Sequence, residues 1–343
     1  MSLQNTMHPA WMSRKLKNKT VECLACSHHC RISEGKKGVC GVRKNVDGEL
    51  NLLVYGKAAA VNIDPIEKKP LFHFYPGMPI FSIGTVGCNF RCAFCQNWDI
   101  SQFHKTHTDQ EIMDAGTSLS PEDIINECLR NKIPSVAFTY NEPGIFFEYA
   151  YDTAKLAHKN GIKTVYVSNG FENRAALEKI KPYLDAINTD LKAFTDEYYM
   201  KICGGRIGPV KENIEWIQGS GIWQEVTTLI TTNHNDHEDE LKRLADFLVN
   251  ISPDIPWHIS RYFPAYQMTD PPTPLETLET AHKIGKAAGM KHVYVGNVHV
   301  PGMEDTYCPK CKKAIIKRDG YSIENLMKAD KCPYCSQIIP GRF

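Results

Sequence analysis

The chain has 343 residues, more than one small domain needs and enough for one α/β unit of ~250 residues with appendages. Its 40 Lys and Arg stand against 39 Asp and Glu, so no global basic field points to nucleic acid or to an anionic membrane. No run approaches the ~20 apolar residues of a membrane span, and the start lacks the ~7–15-residue apolar core of a signal peptide; the expected location is cytoplasmic, where 13 cysteines stay reduced and serve metals rather than disulfides.

In chain order, residues 1–20 are polar and mixed and read as a poorly ordered arm. Cys23, Cys26, Cys30 and Cys40 follow as a quartet within eighteen residues. Four soft ligands suit a tetrahedral zinc ion or equally a 4Fe-4S cluster, and His28 or His29 can stand in for one thiol. Residues 50–56 and 58–63 read as short strands, and Asp64 to Tyr75 as a linker in which His73, among aromatics, is a core residue. A loop then offers Cys88, Cys92 and Cys95 in the spacing C-x3-C-x2-C. Three thiolates leave one iron of a cubane without a protein ligand, whereas structural zinc takes four ligands and keeps no vacancy.

From residue 79 onward, apolar runs alternate with amphipathic helical segments. The strand runs are 80–86, 135–139, 164–167, 186–191, 223–230, 258–262 and 293–295, and the helical segments include 146–159, 174–184, 238–249 and 275–288. Ser120-Pro121-Glu122-Asp123 is a helix start with a hydroxyl cap and Pro in the first turn. Repeated β-α units imply a parallel sheet, wound doubly or into a barrel, with chemistry at the carboxyl ends of its strands. The polar residues there are the Cys88 triplet, Asn141-Glu142, Ser168-Asn169, Asp190 with Lys192, Thr231-Thr232-Asn233, Arg261 and Gly296-Asn297.

The triplet, with Phe94 in its aromatic place, resembles the signature of radical S-adenosylmethionine (SAM) enzymes. Asn141-Glu142-Pro143 resembles their GGEP-type motif, Ser168-Asn169-Gly170 and Asp190-Leu191-Lys192 the TNG and DLK segments of glycyl-radical-enzyme activases, and Val293 to Gly296 the last-strand motif. With residues 64–74, Gln96-Asn97-Trp98 and both flanking quartets, the chain is similar to the AmmeMemoRadiSam system radical SAM enzymes, near pyruvate formate-lyase activating enzyme. It departs from the activases at Thr232-Asn233 and Phe263, which bears on ribose contacts and on a glycyl-radical substrate. The resemblance implies a partial (β/α)6 TIM-type barrel, a 4Fe-4S cluster on Cys88, Cys92 and Cys95, and SAM contacts from Phe94, Asn141, Glu142, Ser168, Asn169, Asp190, Lys192 and Val295. It implies reductive cleavage of SAM to a 5'-deoxyadenosyl radical that abstracts hydrogen from a protein or peptide, or from a small molecule. A ferredoxin- or flavodoxin-like reductant and a functional link to Memo-like and Ammecr-like proteins go with it.

After Pro301, Cys308-x2-Cys311 and Cys332-x2-Cys335 frame twenty residues, the spacing of a zinc ribbon or of rubredoxin knuckles. The expected modules are thus residues 1–75 with the first metal site, 76–300 as the barrel and 301–343 as the ribbon. Cys128 lies near an apolar helical stripe and reads as core. Cys203, beside Gly204-Gly205, is either a thiol facing substrate or a buried small hydrophobe. A rival of another class is a zinc-ribbon scaffold protein whose triplet only stores a cluster, but it gives Glu142, Asp190 and Lys192 no task.

Overall fold

A computed structural model describes residues 7–343; the first six positions of the expected arm lie outside the described residues. Seven strands form one parallel sheet: β1 (Pro79–Gly84), β2 (Ser135–Phe138), β3 (Lys163–Ser168), β4 (Ala186–Asp190), β5 (Trp223–Ile230), β6 (Trp257–Arg261) and β7 (Val293–Gly296). Their spatial order is their chain order. Sequential order is the winding of a barrel, since a doubly wound sheet reverses direction part-way. The parallel set exceeds the expected six by one strand, and Ala60–Pro65 adds an antiparallel edge against β1. Among the described residues that edge and β7 are not paired with each other, so the sheet stays open.

Between the strands run α1 (Pro121–Arg130), α2 (Phe147–Lys159), α3 (Arg174–Ile180), α4 (Ile207–Gln218), α5 (Glu238–Ile251) and α6 (Leu275–Ala288). The first begins as its sequence dictates: the Ser120 hydroxyl accepts from the Asp123 N–H, the Asp123 carboxylate accepts from the Ser120 N–H, and Pro121 occupies the first turn. Its buried stripe is Ile124, Ile125 and Cys128, which makes Cys128 a core residue.

Residues 7–20 are not an arm. Ser13–Lys15 pairs with Val21–Cys23, and His8–Pro9 with Glu49–Leu52. The contacts that order them come from far along the chain: Trp11 meets Phe147 and Tyr151 edge-on, and the Met12 N–H donates to Glu148 Oε1 at 2.9 Å. Arg43 closes the same junction with a buried pair to Glu148 at 2.7 Å. Removing either partner would leave a buried charge uncompensated, at a cost of about 3–5 kcal/mol.

The carboxyl-terminal module is a three-stranded antiparallel sheet, Thr306–Tyr307, Ala314–Asp319 and Ser322–Asn325. It docks under the amino ends of the parallel strands. Arg318, buried, donates to the Phe72 carbonyl at 2.8 Å and covers the Phe72 ring at 4.1 Å. The His73 ring bridges the Pro340 carbonyl at 2.7 Å and the Tyr294 hydroxyl at 2.6 Å, which bears out its reading as core.

Candidate functional site

Beyond β1, Gly87 turns the chain into the cysteine loop. Its φ is +91°, and a Cβ there would stand 2.6 Å from the Cys40 carbonyl oxygen, so glycine alone fits this close approach. The loop is pinned by its backbone: Arg91 N–H donates to the Cys203 carbonyl at 2.7 Å and Ala93 N–H to the Ile202 carbonyl at 3.0 Å. Gln102 Nε2 holds the Phe90 carbonyl at 3.0 Å, and Asn97 Nδ2 the Tyr140 carbonyl at 2.8 Å. Cys88, Cys92 and Cys95 thereby face one cavity of about 430 Å³ at the carboxyl ends of the strands. Asn141, Glu142, Asn169, Asp190 and Lys192 share its wall. A cavity of this size takes a ligand with the bulk of a nucleoside.

The charges of this wall are unevenly compensated. Lys192 Nζ meets Asp190 at 2.9 Å; burial works against its charge, but Asp190 and the nearby thiols hold its pKa well above the usual lysine value. Phe94 is buried with its ring 5.7 Å from that ammonium. Glu142 is different. Its carboxylate accepts from the N–H groups of Gly144 at 3.0 Å and Asn169 at 2.8 Å and from the Ser168 hydroxyl. Burial, then repulsion from Glu172, pushes its pKa well above the carboxylate range. Glu172 is also buried and its Oε2 has no partner. Among the described residues neither carboxyl forms a salt bridge with a basic side chain, and of the two only Glu142 reaches the cavity wall.

Asn141 holds the loop, through Nδ2 to Thr85 Oγ1 and to the Gly87 carbonyl. Ser168 sits behind Glu142 rather than on the wall. Val295 is fully buried in the core, with its N–H on the Met303 carbonyl, and does not line the cavity. Cys203 is fully buried as well, which excludes a substrate-facing thiol. It lies against the cysteine loop, where its hydrogen bond holds the Cys92 thiol below its ordinary pKa. Burial raises the Cys88 and Cys95 thiols, so metal must displace their protons.

Two charged wall residues escaped the sequence reading. Lys68 and Lys69 enter the cavity from the supposed linker, both paired with Asp64, at 2.9 and 2.7 Å. They arrive because Ala60–Pro65 pairs with β1, a non-local contact. The signal was a lysine doublet next to an acid at the edge of an apolar run.

The flanking quartets differ in geometry. Cys308, Cys311, Cys332 and Cys335 bring their sulfurs within 4.8 Å of one another, the shell of a single ion. Cys23, Cys26, Cys30 and Cys40 line a closed cavity of their own, with His28, Arg43 and Asn89.

Comparison with known proteins agrees with this layout. The sequence profile of the radical SAM superfamily matches residues 82–248. The chain is 40% identical over 338 residues to the uncharacterized protein MJ0808 of Methanocaldococcus jannaschii, covering 97% of this chain and 99% of that one. It is 25% identical over 245 residues to a protein of the same organism provisionally named glycyl-radical enzyme activating enzyme MJ1632, covering 68% of this chain and 84% of that one. Among solved structures, a domain of pyruvate-formate lyase-activating enzyme from Bacteroides vulgatus is similar at a TM-score of 0.41 and 17% identity, covering 47% of this chain and 98% of that one. Streptococcus suis SuiB, bound to S-adenosylmethionine, is similar at 0.49 and 15%, covering 68% of this chain and 53% of that one. With the profile lying over the strands that carry the three-cysteine loop, the chain belongs to the radical SAM superfamily, enzymes that use a 4Fe-4S cluster and SAM.

Proposed function

We propose that the protein is an activase-like radical SAM enzyme of the AmmeMemoRadiSam branch that modifies a protein or peptide. The observation that carries the core of this reading is one cavity walled by the three free thiols together with Glu142, which like its buried neighbour Glu172 has no basic side chain paired with it among the described residues. Bound there, the cluster and SAM supply a 5'-deoxyadenosyl radical for hydrogen abstraction. Cys88, Cys92 and Cys95 would hold three irons and leave one open. Glu142, held by two backbone N–H groups, receives the ammonium of SAM, and Lys192 stands across the cavity for its carboxylate. The Asp190 pair fixes Lys192, and Asn141 fixes the loop.

Protein or peptide modification is favoured over a small molecule by the likeness to activases in the cavity motifs and by the relative provisionally named a glycyl-radical enzyme activating enzyme. A low-potential ferredoxin- or flavodoxin-type reductant, and a functional link to Memo-like and Ammecr-like proteins, complete the reading. We assign zinc to the carboxyl-terminal quartet because its compact sulfur shell suits one tetrahedral ion.

The test is anaerobic incubation of the iron-reconstituted chain with SAM and dithionite. Deoxyadenosine should form, and electron paramagnetic resonance (EPR) of the reduced protein should change when SAM is added. A spectrum indifferent to SAM would remove the open iron from Cys88, Cys92 and Cys95.

A further inference from the structure

The amino-terminal quartet lies outside the cavity just described, and its geometry separates it from the carboxyl-terminal one. Tetrahedral zinc with Zn–S near 2.3 Å draws its sulfurs to about 3.8 Å from one another. The carboxyl-terminal thiols obey: Cys308 and Cys335 are 3.6 Å apart, Cys311 and Cys332 3.7 Å. Among the described residues theirs is the only group of three or more metal-ligating side chains drawn together within 4.8 Å. Cys23, Cys26, Cys30 and Cys40 ring one closed cavity but stand wider than that, as Cys88, Cys92 and Cys95 do. Thiolates at the corners of a cube, each on its own iron, stand wider than thiolates sharing one ion.

The cavity is lined as a cluster site requires. Arg43, 1% exposed, gives its two terminal nitrogens to Glu148 and Ile145, yet its Nε has no partner. Asn89, 1% exposed, gives its Oδ1 to Asn169, while its Nδ2 has no partner. Both residues line the cavity. Two buried, unpaired N–H donors beside four thiols call for acceptors, and the sulfurs of a cluster are such acceptors. His28 lines the cavity with its Nε2 held by the Asn89 carbonyl at 2.8 Å, and His29 faces Glu22 and Asn173 on the surface. With four thiols around the cavity, the four ligands of the proposed site are the cysteines.

We infer that Cys23, Cys26, Cys30 and Cys40 hold a second, fully ligated 4Fe-4S cluster that relays electrons to the cluster on Cys88, Cys92 and Cys95. Asn89 lines the quartet's cavity while its neighbour Cys88 lines the other, so consecutive residues of the loop face the two sites. Each transfer oxidises the amino-terminal cluster by one electron and reduces the other by one. A low-potential one-electron donor, dithionite in the test, restores the first. The relay rests on the proposed SAM chemistry for its purpose; the cluster itself does not.

The experiment therefore reads metal and spin, not turnover. Reconstituted full-length protein should carry about eight irons and one zinc, and a Cys88→Ser/Cys92→Ser/Cys95→Ser variant about four irons with an EPR signal indifferent to SAM. Two zinc ions and no cluster in that variant would overturn the second cluster while leaving the proposed SAM chemistry standing. If the variant fails to fold, iron and zinc counts on the wild-type protein decide: four irons with two zinc ions refute the assignment. For the relay, fully reduced wild-type protein should show the broadened, split EPR signal of two neighbouring spins, and a simple sum of two independent signals would refute it.

Discussion

At the scale of single residues, the site depends on which buried charges the chain leaves without a partner. Arg43 has Glu148 and Lys192 has Asp190, but Glu142 has only N–H and O–H donors and a second carboxyl nearby. A ligand ammonium converts that arrangement into a charge-assisted contact of about 1.5–3 kcal/mol. Glu142→Gln keeps one acceptor oxygen for Gly144 or Asn169 and removes the charge. Its SAM dissociation constant, measured by equilibrium binding to the reconstituted protein, should rise about tenfold or more with iron content unchanged. Lys192→Met should act likewise through the carboxylate. Wild-type affinity in both would remove these residues from SAM binding. Glu142, Asn169, Asp190 and Lys192 were legible because each ends or follows a strand and strand ends converge. Glu172 and Lys69 were not: one faces Glu142 from a turn, the other is carried in by a strand pairing, and neither relation has a local sequence signature.

At the scale of elements, the alternation of apolar runs and helical segments was legible from β1 to β7 because each run is a buried strand of its own. Helix α4 was missed: it follows Gly204-Gly205, has no capping side chain, and buries only Val210, Asn213, Ile214 and Ile217. Residues 7–20 were misread because their order comes from α2, more than a hundred positions away. The cysteine loop is the element on which both proposed metal sites meet. Gly87 lets it pass the Cys40 carbonyl, so Gly87→Ala adds a methyl group 2.6 Å from that oxygen at a left-handed φ. We expect the variant to fold but to lose iron at Cys88, Cys92 and Cys95 on reconstitution, measured as iron and sulfide per chain. Full iron loading would show that the loop closes without this approach.

At the scale of the whole molecule, the two ends of the parallel sheet have different work. The thiol cavity lies at the carboxyl ends, and the carboxyl-terminal module covers the amino ends through Phe72, His73 and the residues 340–343. That junction contains buried histidines and buried acids, among them Glu225, which accepts from the N–H groups of Phe72 and His73 and pairs with His258 at 2.6 Å. Burial pushes the His73 pKa down to about 4 from an ordinary 6.5, against the pull of Glu225. A depressed folded-state pKa means the native junction holds neutral His73, so its stability is complete above pH 6.5. It is lost as pH falls toward 4, by about 3 kcal/mol at the lower end. Glu225, whose pKa His258 and His73 together hold below its ordinary value despite burial, loses its own contribution only as pH falls below 4.5, at the bottom of the His73 window. Thermal melts at steps between pH 7 and 4 should show the melting temperature falling through the His73 window. In His73→Gln, which keeps a donor and an acceptor but no titration, that fall should be shallower, with SAM affinity at pH 7.5 unchanged because the junction is at the far end of the strands. A pH slope equal to the wild type's would place the acid sensitivity elsewhere, in His292 or His104, which burial also depresses.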